Sequence, residues 1–401
     1  MLSVRCRMKS LSELKILIDR IPFAEGNLGE EAILASLLQD LKECGVTDVS
    51  VISNMPDRTR SRHGSSIKVI TDKPGNWAAF PAQVKRADIL IWGGGHMLQD
   101  RSSQLYIPCV VRNLMLAKIM RIPRFIYAPG MGPVVNHLGR SLSAAAIKGS
   151  REIVIRDDSS AGFLNSIGIQ RFHKTADPVF SLKTDADDLP PPDNDHPVVG
   201  FAPRRLFYRK GSIIPVKWQL GSSADQNPEF ERFVRETASA CDQLIEKRKT
   251  EIILLPMDLG PNPRDDLICK QIFQNVKNKE NVSIIDNDPP LNDFIKILGS
   301  LDLLVSARLH GIIMSLRFGL PFIGIDSDGK IAQMAGMVDC HGRVIKDKQF
   351  SAENFCDLAL QTLGQGSSLR QELRNKGKIL RDRARDNRLI LNRCLGEIAR
   401  N

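Results

Sequence analysis

A chain of 401 residues is longer than one hydrophobic core ordinarily serves, so two domains are expected. Hydrophobic content of 42% and charged content of 25% fit a globular chain, and no apolar run approaches the ~20 residues a membrane-spanning helix needs. The formal charge is +10, yet aromatics make up only 5% and no basic patch is interleaved with them, which argues against nucleic acid as a partner.

Residues 15–21 read as a buried strand, and Ala32, Ile33, Leu37, Leu38 and Leu41 predict a helix over 30–44. Between them lies Gly26-Asn27-Leu28-Gly29-Glu30-Glu31. It is a glycine turn without a full G-x-G-x-x-G, and its two glutamates would repel a pyrophosphate while suiting sugar hydroxyls or the helix dipole. Short apolar runs follow at 49–52, 67–70 and 89–92. The last opens onto Gly93-Gly94-Gly95-His96 and Leu98-Gln99-Asp100, where the backbone could approach a ligand closely and His96 reads as a local hydrogen-bonding residue. Further strands at 125–128 and 153–155 lead to Arg156-Asp157-Asp158 and a helix over 161–167. Arg156 could reach an anion or pair with Asp157 or Asp177.

The stretch 185–197, rich in Pro and Asp, is the linker, separating a first domain (1–184) from a second (198–401). Strands at 198–201, 251–255 and 282–285 and a helix over 230–246 restart the alternation. Arg204 and Arg205 follow the first of these strands, and residues 256–266 read as a polar loop. The apolar run Leu301 to Val305 then meets Ser306-Ala307-Arg308-Leu309-His310-Gly311 at the start of a helix, with Ser306 expected as its N-cap. A strand end meeting a helix N-terminus is a natural anion site. Arg308 and His310 could serve there, or could cap a carboxylate and stay structural. Lys330 ends the next strand loop and is expected near both.

Eight cysteines without a C-x-x-C pair argue against zinc and against a disulfide framework. The basic start (Arg5, Arg7, Lys9, Lys15, Arg20) lacks the apolar core of a secretory signal, so a cytoplasmic setting is expected. Between Arg370 and Arg393 nine basic residues face three acidic ones. Such a helix could be a solvated face or could meet an anionic membrane from its inner side.

Seven of these motifs, taken in order, resemble the polysaccharide pyruvyl transferase family, particularly its bacterial cell-wall members. They are 26–34, Gly93-Gly94-Gly95 with Leu98-Gln99-Asp100, Ala128-Pro129-Gly130-Met131-Gly132-Pro133, Arg156-Asp157-Asp158-Ser159, Ala176-Asp177-Pro178, 306–311 and Gly319-Leu320-Pro321. The resemblance runs from about Lys15 to Gly336. It departs at Glu30, where the family has Asp, and at Ser327-Asp328-Gly329-Lys330, where it has Tyr-Asp-Pro-Lys; 207–226 matches no motif.

The resemblance implies an α/β fold of two Rossmann-like domains facing a cleft, glycosyltransferase-B-like. It implies transfer of pyruvate from phosphoenolpyruvate onto two hydroxyls of a cell-wall or exopolysaccharide sugar as a ketal, with no metal or cofactor. His310 is then the general acid, and Arg308, Lys330 and Arg156 hold phosphoenolpyruvate. Glu30, Asn27, Gly94, Gly95, Gln99 and Asp100 face the saccharide acceptor, free or lipid-linked. A helix N-terminus favours neutral imidazole and a bound phosphate dianion favours imidazolium, so His310 is expected to gain its proton when the donor binds. The alternatives are a nucleotide-sugar-dependent glycosyltransferase of the same fold and a non-catalytic saccharide binder.

Overall fold

The computed structural model describes residues 8–22, 26–100, 105–187, 190–206, 227–260, 264–285 and 288–400. The stretch 207–226, like Cys6, lies outside the described residues.

The first domain alternates strands and helices: β1 (Lys15–Asp19), α1 (Leu28–Glu43), β2 (Asp48–Ser53), α2 (Pro56–His63), β3 (Lys68–Thr71), α3 (Phe80–Arg86), β4 (Ile89–Gly93), β5 (His96–Leu98), α4 (Tyr106–Ile119), β6 (Arg124–Tyr127), β7 (Gly130–Met131), α5 (His137–Ile147), β8 (Glu152–Ile155), α6 (Asp158–Ser166) and β9 (His173–Lys174). Seven strands form one parallel sheet in the order β3-β2-β1-β4-β6-β8-β9, and β5 pairs with β7 in a separate ribbon. The second domain holds β10 (Val198–Ala202), α7 (Pro228–Arg248), β11 (Glu251–Leu254), α8 (Asp265–Asn275), β12 (Val282–Ile284), α9 (Leu291–Gly299), β13 (Leu303–Ser306), α10 (Leu309–Phe318), β14 (Phe322–Asp326), α11 (Lys330–Gly336), β15 (Val344–Lys346) and α12 (Ala352–Gly364). Its parallel sheet has the order β12-β11-β10-β13-β14-β15, and α13 (Gly366–Arg400) closes the chain. Both sheets are doubly wound, as the alternating pattern predicts.

Alternate strand residues feed opposite faces of each sheet. Ile16 and Ile18 of β1 pack towards α1, whereas Leu17 joins Leu90 and Trp92 beneath α4. In β13, Leu304 faces the first domain while Leu303 and Val305 face α7 and α12. The cluster containing Ile16 and Leu304 runs through α1, α10 and α13 without a break, so the inner faces of the two domains share one apolar core.

Polar clamps flank that core. Arg58 on α2 pairs with Glu31 on α1 and with Asp288 of the second domain, and Arg62 donates to the Asp288 and Pro289 carbonyls. The described residues of the linker form no regular element but are anchored, since Arg317 of α10 grips Asp187 and Asn194 donates to Asp302.

Helix α13 corrects the expected domain boundary. Its first half packs on α10, but its second half lies against the first domain. Asn387 accepts from Thr175 and donates to the Ala176 carbonyl, Lys9 N–H donates to the Ala399 carbonyl, and Arg151 pairs with Glu397. Its basic residues serve this strap: Arg370 donates to the Leu301 carbonyl, Arg381 to that of Arg317 and Arg383 to that of Thr175, while Arg388 and Arg393 face Glu43 and Glu152. The anionic surface that this helix meets is largely the protein's own. Among the described residues no helix is long and apolar enough to cross a membrane.

Candidate functional site

The carboxyl edges of the two sheets face each other, where ligands lie in open α/β folds. The first domain brings the start of α1 and the loops after β4, β6 and β8. The second brings Arg204 after β10, Asp258 after β11, Arg308 after β13 and Asp328 after β14. The edges are stitched at one point: Leu28 N–H donates to the Met257 carbonyl and Leu259 N–H to the Gly26 carbonyl, both at 2.9 Å.

His310, on the first turn of α10, points across this seam onto Gly29. A Cβ added to Gly29 would stand 2.3 Å from the imidazole Cγ and Nδ1, so only glycine admits the ring there. The other ring nitrogen, Nε2, is buried without a hydrogen-bond partner and lies 3.7 Å from an Asp177 oxygen. Asp177 is fully buried and accepts from Arg156 Nη1 at 2.5 Å. Burial alone would raise its carboxyl, but the charges of Arg156 and His310 outweigh that and hold it down at about 2. The carboxylate therefore joins two predicted site residues, one on each side of the seam. It is the site residue that sequence reasoning passed over, although Ala176-Asp177-Pro178 was among the motifs.

Next to this triad is a cluster of cations. Lys330 opens α11 and meets Asp328 at 3.1 Å, with Arg204 3.7 Å from the same carboxylate oxygen. These residues, with Ala307 and Leu309 at the start of α10, line a small recess of about 10 Å³. Burial lowers the Lys330 ammonium below its ordinary value, and Arg204 and Arg156 push it further while Asp328 opposes them. His96 is pushed down to about 3, first by burial and then by Lys330 and Arg156. Its Nε2 contacts the Gly132 carbonyl at 2.5 Å, consistent with the local role read from the sequence. A Cβ on Gly130 would stand 2.6 Å from His96 Nδ1 and 2.9 Å from Arg156 Nη2.

Other predicted residues are placed differently. Arg308 faces its own domain, with Nε and Nη2 on Asp265 and Nη1 on Asp258 at 3.2 Å. Asp265 is fully buried, and burial raises its carboxyl to about 6 although Arg308 opposes the shift. It also opens α8, so the expected polar loop ends at Arg264. Arg308 occupies the N-cap position expected of Ser306, whose hydroxyl instead accepts from Arg308 N–H. Asn27 is the N-cap of α1, accepting from the Gly29 and Glu30 N–H groups, and its amide donates to Asp258. Asp100 accepts from Val135 and Asn136 N–H groups, which fixes a loop. Lys330 shares the Asp328 carboxylate with Arg204 and lies by Ala307 and Leu309, on either side of Arg308.

Glu30 packs on the glycine loop after β4, where a Cβ on Gly95 would be 2.6 Å from its Oε1. Burial and the Glu30 charge both raise the Tyr106 hydroxyl well above its ordinary value, which puts that aromatic beside Glu30. Gly94 takes φ +102° and packs on the Arg20 carbonyl, and Gln99 is half-buried after β5.

Two facing Rossmann-like sheets with a site at their carboxyl edges define a glycosyltransferase-B-like protein. Solved structures of the same fold include UDP-GlcNAc 2-epimerase from Neisseria meningitidis bound to UDP-GlcNAc (TM-score 0.57, 13% identity, 94% of this chain and 98% of that one). Sucrose-phosphate synthase from Thermosynechococcus elongatus is another (TM-score 0.55, 11% identity, 94% and 97%). At these identities the likeness is one of fold. The chain belongs to the polysaccharide pyruvyl transferase family, whose model matches residues 27–329, and is thus a transferase. It is also 21% identical over 327 residues to the amylovoran biosynthesis protein AmsJ of Erwinia amylovora, covering 78% of this chain and 75% of that protein.

Proposed function

We propose that this protein transfers the pyruvyl group of phosphoenolpyruvate onto two hydroxyls of a saccharide in polysaccharide biosynthesis. The observation that carries the reading is His310 Nε2, buried without a hydrogen-bond partner, beside an Asp177–Arg156 pair, with Lys330 and Arg204 gathered at Asp328.

In this reading the donor's carboxylate and phosphate lie against Lys330 and Arg156, with Arg204 at the recess; arginine pairs with such groups in two places at once. His310 protonates the enol methylene carbon while one sugar hydroxyl attacks C2. Phosphate then leaves and the second hydroxyl closes the ketal. One hydroxyl proton is accounted for in the new methyl group, and the other departs with phosphate. Asp177, 3.7 Å from His310 Nε2, orients the imidazole. Arg308 acts as a positioning residue that fixes the start of α10 through Asp265 and Asp258. Glu30 and Tyr106 face the acceptor, and we place the acceptor on the first-domain side.

Thermal shift with phosphoenolpyruvate against UDP, GDP and CDP sugars tests the donor, and mass spectrometry of acceptor glycans tests the product. Stabilisation by phosphoenolpyruvate alone, with a pyruvyl ketal on the glycan, is expected. Stabilisation by a nucleotide sugar instead would replace the reading with a glycosyltransferase.

A further inference from the structure

Away from the cleft, α3 and α4 leave an apolar groove of about 240 Å³ between them. Trp77, Phe80, Pro81, Met115, Leu116 and Ile119 line it. Ile119 is 75% exposed and Trp77 43% exposed, so two large apolar side chains stand in water on one face. Trp77 is held in place, since its indole N–H donates to Asp72 at 2.9 Å and Arg112 stacks over its ring at 4.5 Å. Arg112 also stacks over Phe80 at 4.8 Å and pairs with Asp72 at 3.0 Å. The groove is therefore built and rigid.

The charge around it has one sign. Lys73 precedes Trp77, Lys85 and Arg86 end α3, and Lys118 and Arg121 flank Ile119, all of them exposed. The acidic groups of this stretch are taken: Asp72 by Arg20 and Arg112, Asp88 by Lys9, and Asp100 by backbone N–H groups. An exposed indole and an aliphatic side chain on elements that also carry exposed Lys73, Lys85, Arg86 and Arg121 match the interface of an anionic bilayer, where the rings and stems enter the headgroup layer and the cations meet lipid phosphate. A nucleic acid would want stacking rings, and here aliphatic Ile119, Met115 and Leu116 line the groove beside a single exposed ring, Trp77.

We propose that the α3–α4 face is a docking surface for an anionic lipid membrane. The same helix links it to the site, because α4 begins at Tyr106, next to the Glu30 charge. A saccharide held at the surface on a lipid would then reach Glu30 while its carrier stays in the bilayer; only this last point rests on the proposed function. The role that the sequence offered to α13 passes to α3 and α4, since Arg370, Arg381 and Arg383 of α13 are engaged within the protein, whereas Arg374 and Lys378 stay exposed.

The full chain is sedimented with vesicles of phosphatidylcholine alone and of phosphatidylcholine with phosphatidylglycerol, without donor or acceptor, so the result does not depend on turnover. Binding only to the anionic vesicles, weakened by salt, is expected. Lys85→Gln and Arg86→Gln should each weaken partitioning about fivefold. Ile119→Glu, at an exposed position that leaves the fold intact, should reduce it further. Folding of each variant is checked by its unchanged melting temperature. No binding, equal binding to both vesicles, preference for single-stranded RNA, or a loss caused by Arg374→Gln/Lys378→Gln on α13 but not by the α3–α4 variants would each overturn the proposal.

Discussion

Replacing Gly29 with alanine isolates the contact on which the proposed catalysis depends. The new methyl group would stand 2.3 Å from His310 Cγ and Nδ1 and 2.5 Å from its Cβ, whereas ordinary contact begins near 3.4 Å. The ring must therefore retreat by roughly 1 Å, and a reacting group misplaced by about that distance can lose on the order of 10²-fold in rate. Forced overpacking costs about 1–3 kcal/mol. The gain in helix propensity from Gly to Ala on α1, up to about 1 kcal/mol, offsets part of that. The expected variant is thus folded, slightly destabilised, and slow. Steady-state turnover with phosphoenolpyruvate, alongside thermal shift by the same donor, reads both effects. Gly162→Ala on α6 is the control, because its Cβ would meet nothing within 4 Å. Full turnover in Gly29→Ala, or equal loss of donor binding and turnover, would refute the placement of His310 as the acid.

Asp177→Asn should keep the side-chain shape but lower kcat by about 10²-fold and narrow the pH–rate profile, with less effect on KM; an unchanged profile would mean that Asp177 serves only Arg156. Arg308→Ala leaves buried Asp265 unpaired and should cost about 3–5 kcal/mol of stability, and adding Asp265→Asn should restore much of the melting temperature. If Arg308→Ala is fully stable and only weakens donor binding, Arg308 is a donor ligand after all. His96 is held down from its ordinary 6.5 to about 3, so its contribution to stability is complete above pH 6.5 and is lost as the pH falls towards 3. That loss reaches about 2 kcal/mol at pH 5. His96→Gln should flatten this acid limb in urea melts between pH 7 and pH 5, and an identical slope in both proteins would contradict the assignment.

The alternation of strands and helices was legible because the central strands are buried on both faces and show as short apolar runs between turn residues. The β5–β7 ribbon was not, since three glycines and a few polar residues carry no period. The roles of Arg156, His310, Lys330 and Glu30 remain part of the proposed function, but their placement at strand ends and helix starts was legible. The partners of Arg308 were not. Asp258 and Asp265 lie 50 and 43 residues away from it, and a carboxylate bound for a buried ion pair looks in sequence like any loop carboxylate. The same blindness hid the path of α13, whose arginines suggested an outside anion and met Glu43, Glu152 and backbone carbonyls instead. The glycines of the motifs were visible, but their reason is steric and lies in the other domain or on a distant loop, as with Gly29 beneath His310.

The most direct measurement of the central claim is transfer from phosphoenolpyruvate in deuterated water, with the ketal's methyl group read by mass spectrometry. Wild-type protein is predicted to place a single deuterium on that methyl, and His310→Gln to form almost no ketal while phosphoenolpyruvate still raises its melting temperature. Ketal formation at the wild-type rate by His310→Gln, or glycan extension from a nucleotide sugar with no ketal, would contradict the account.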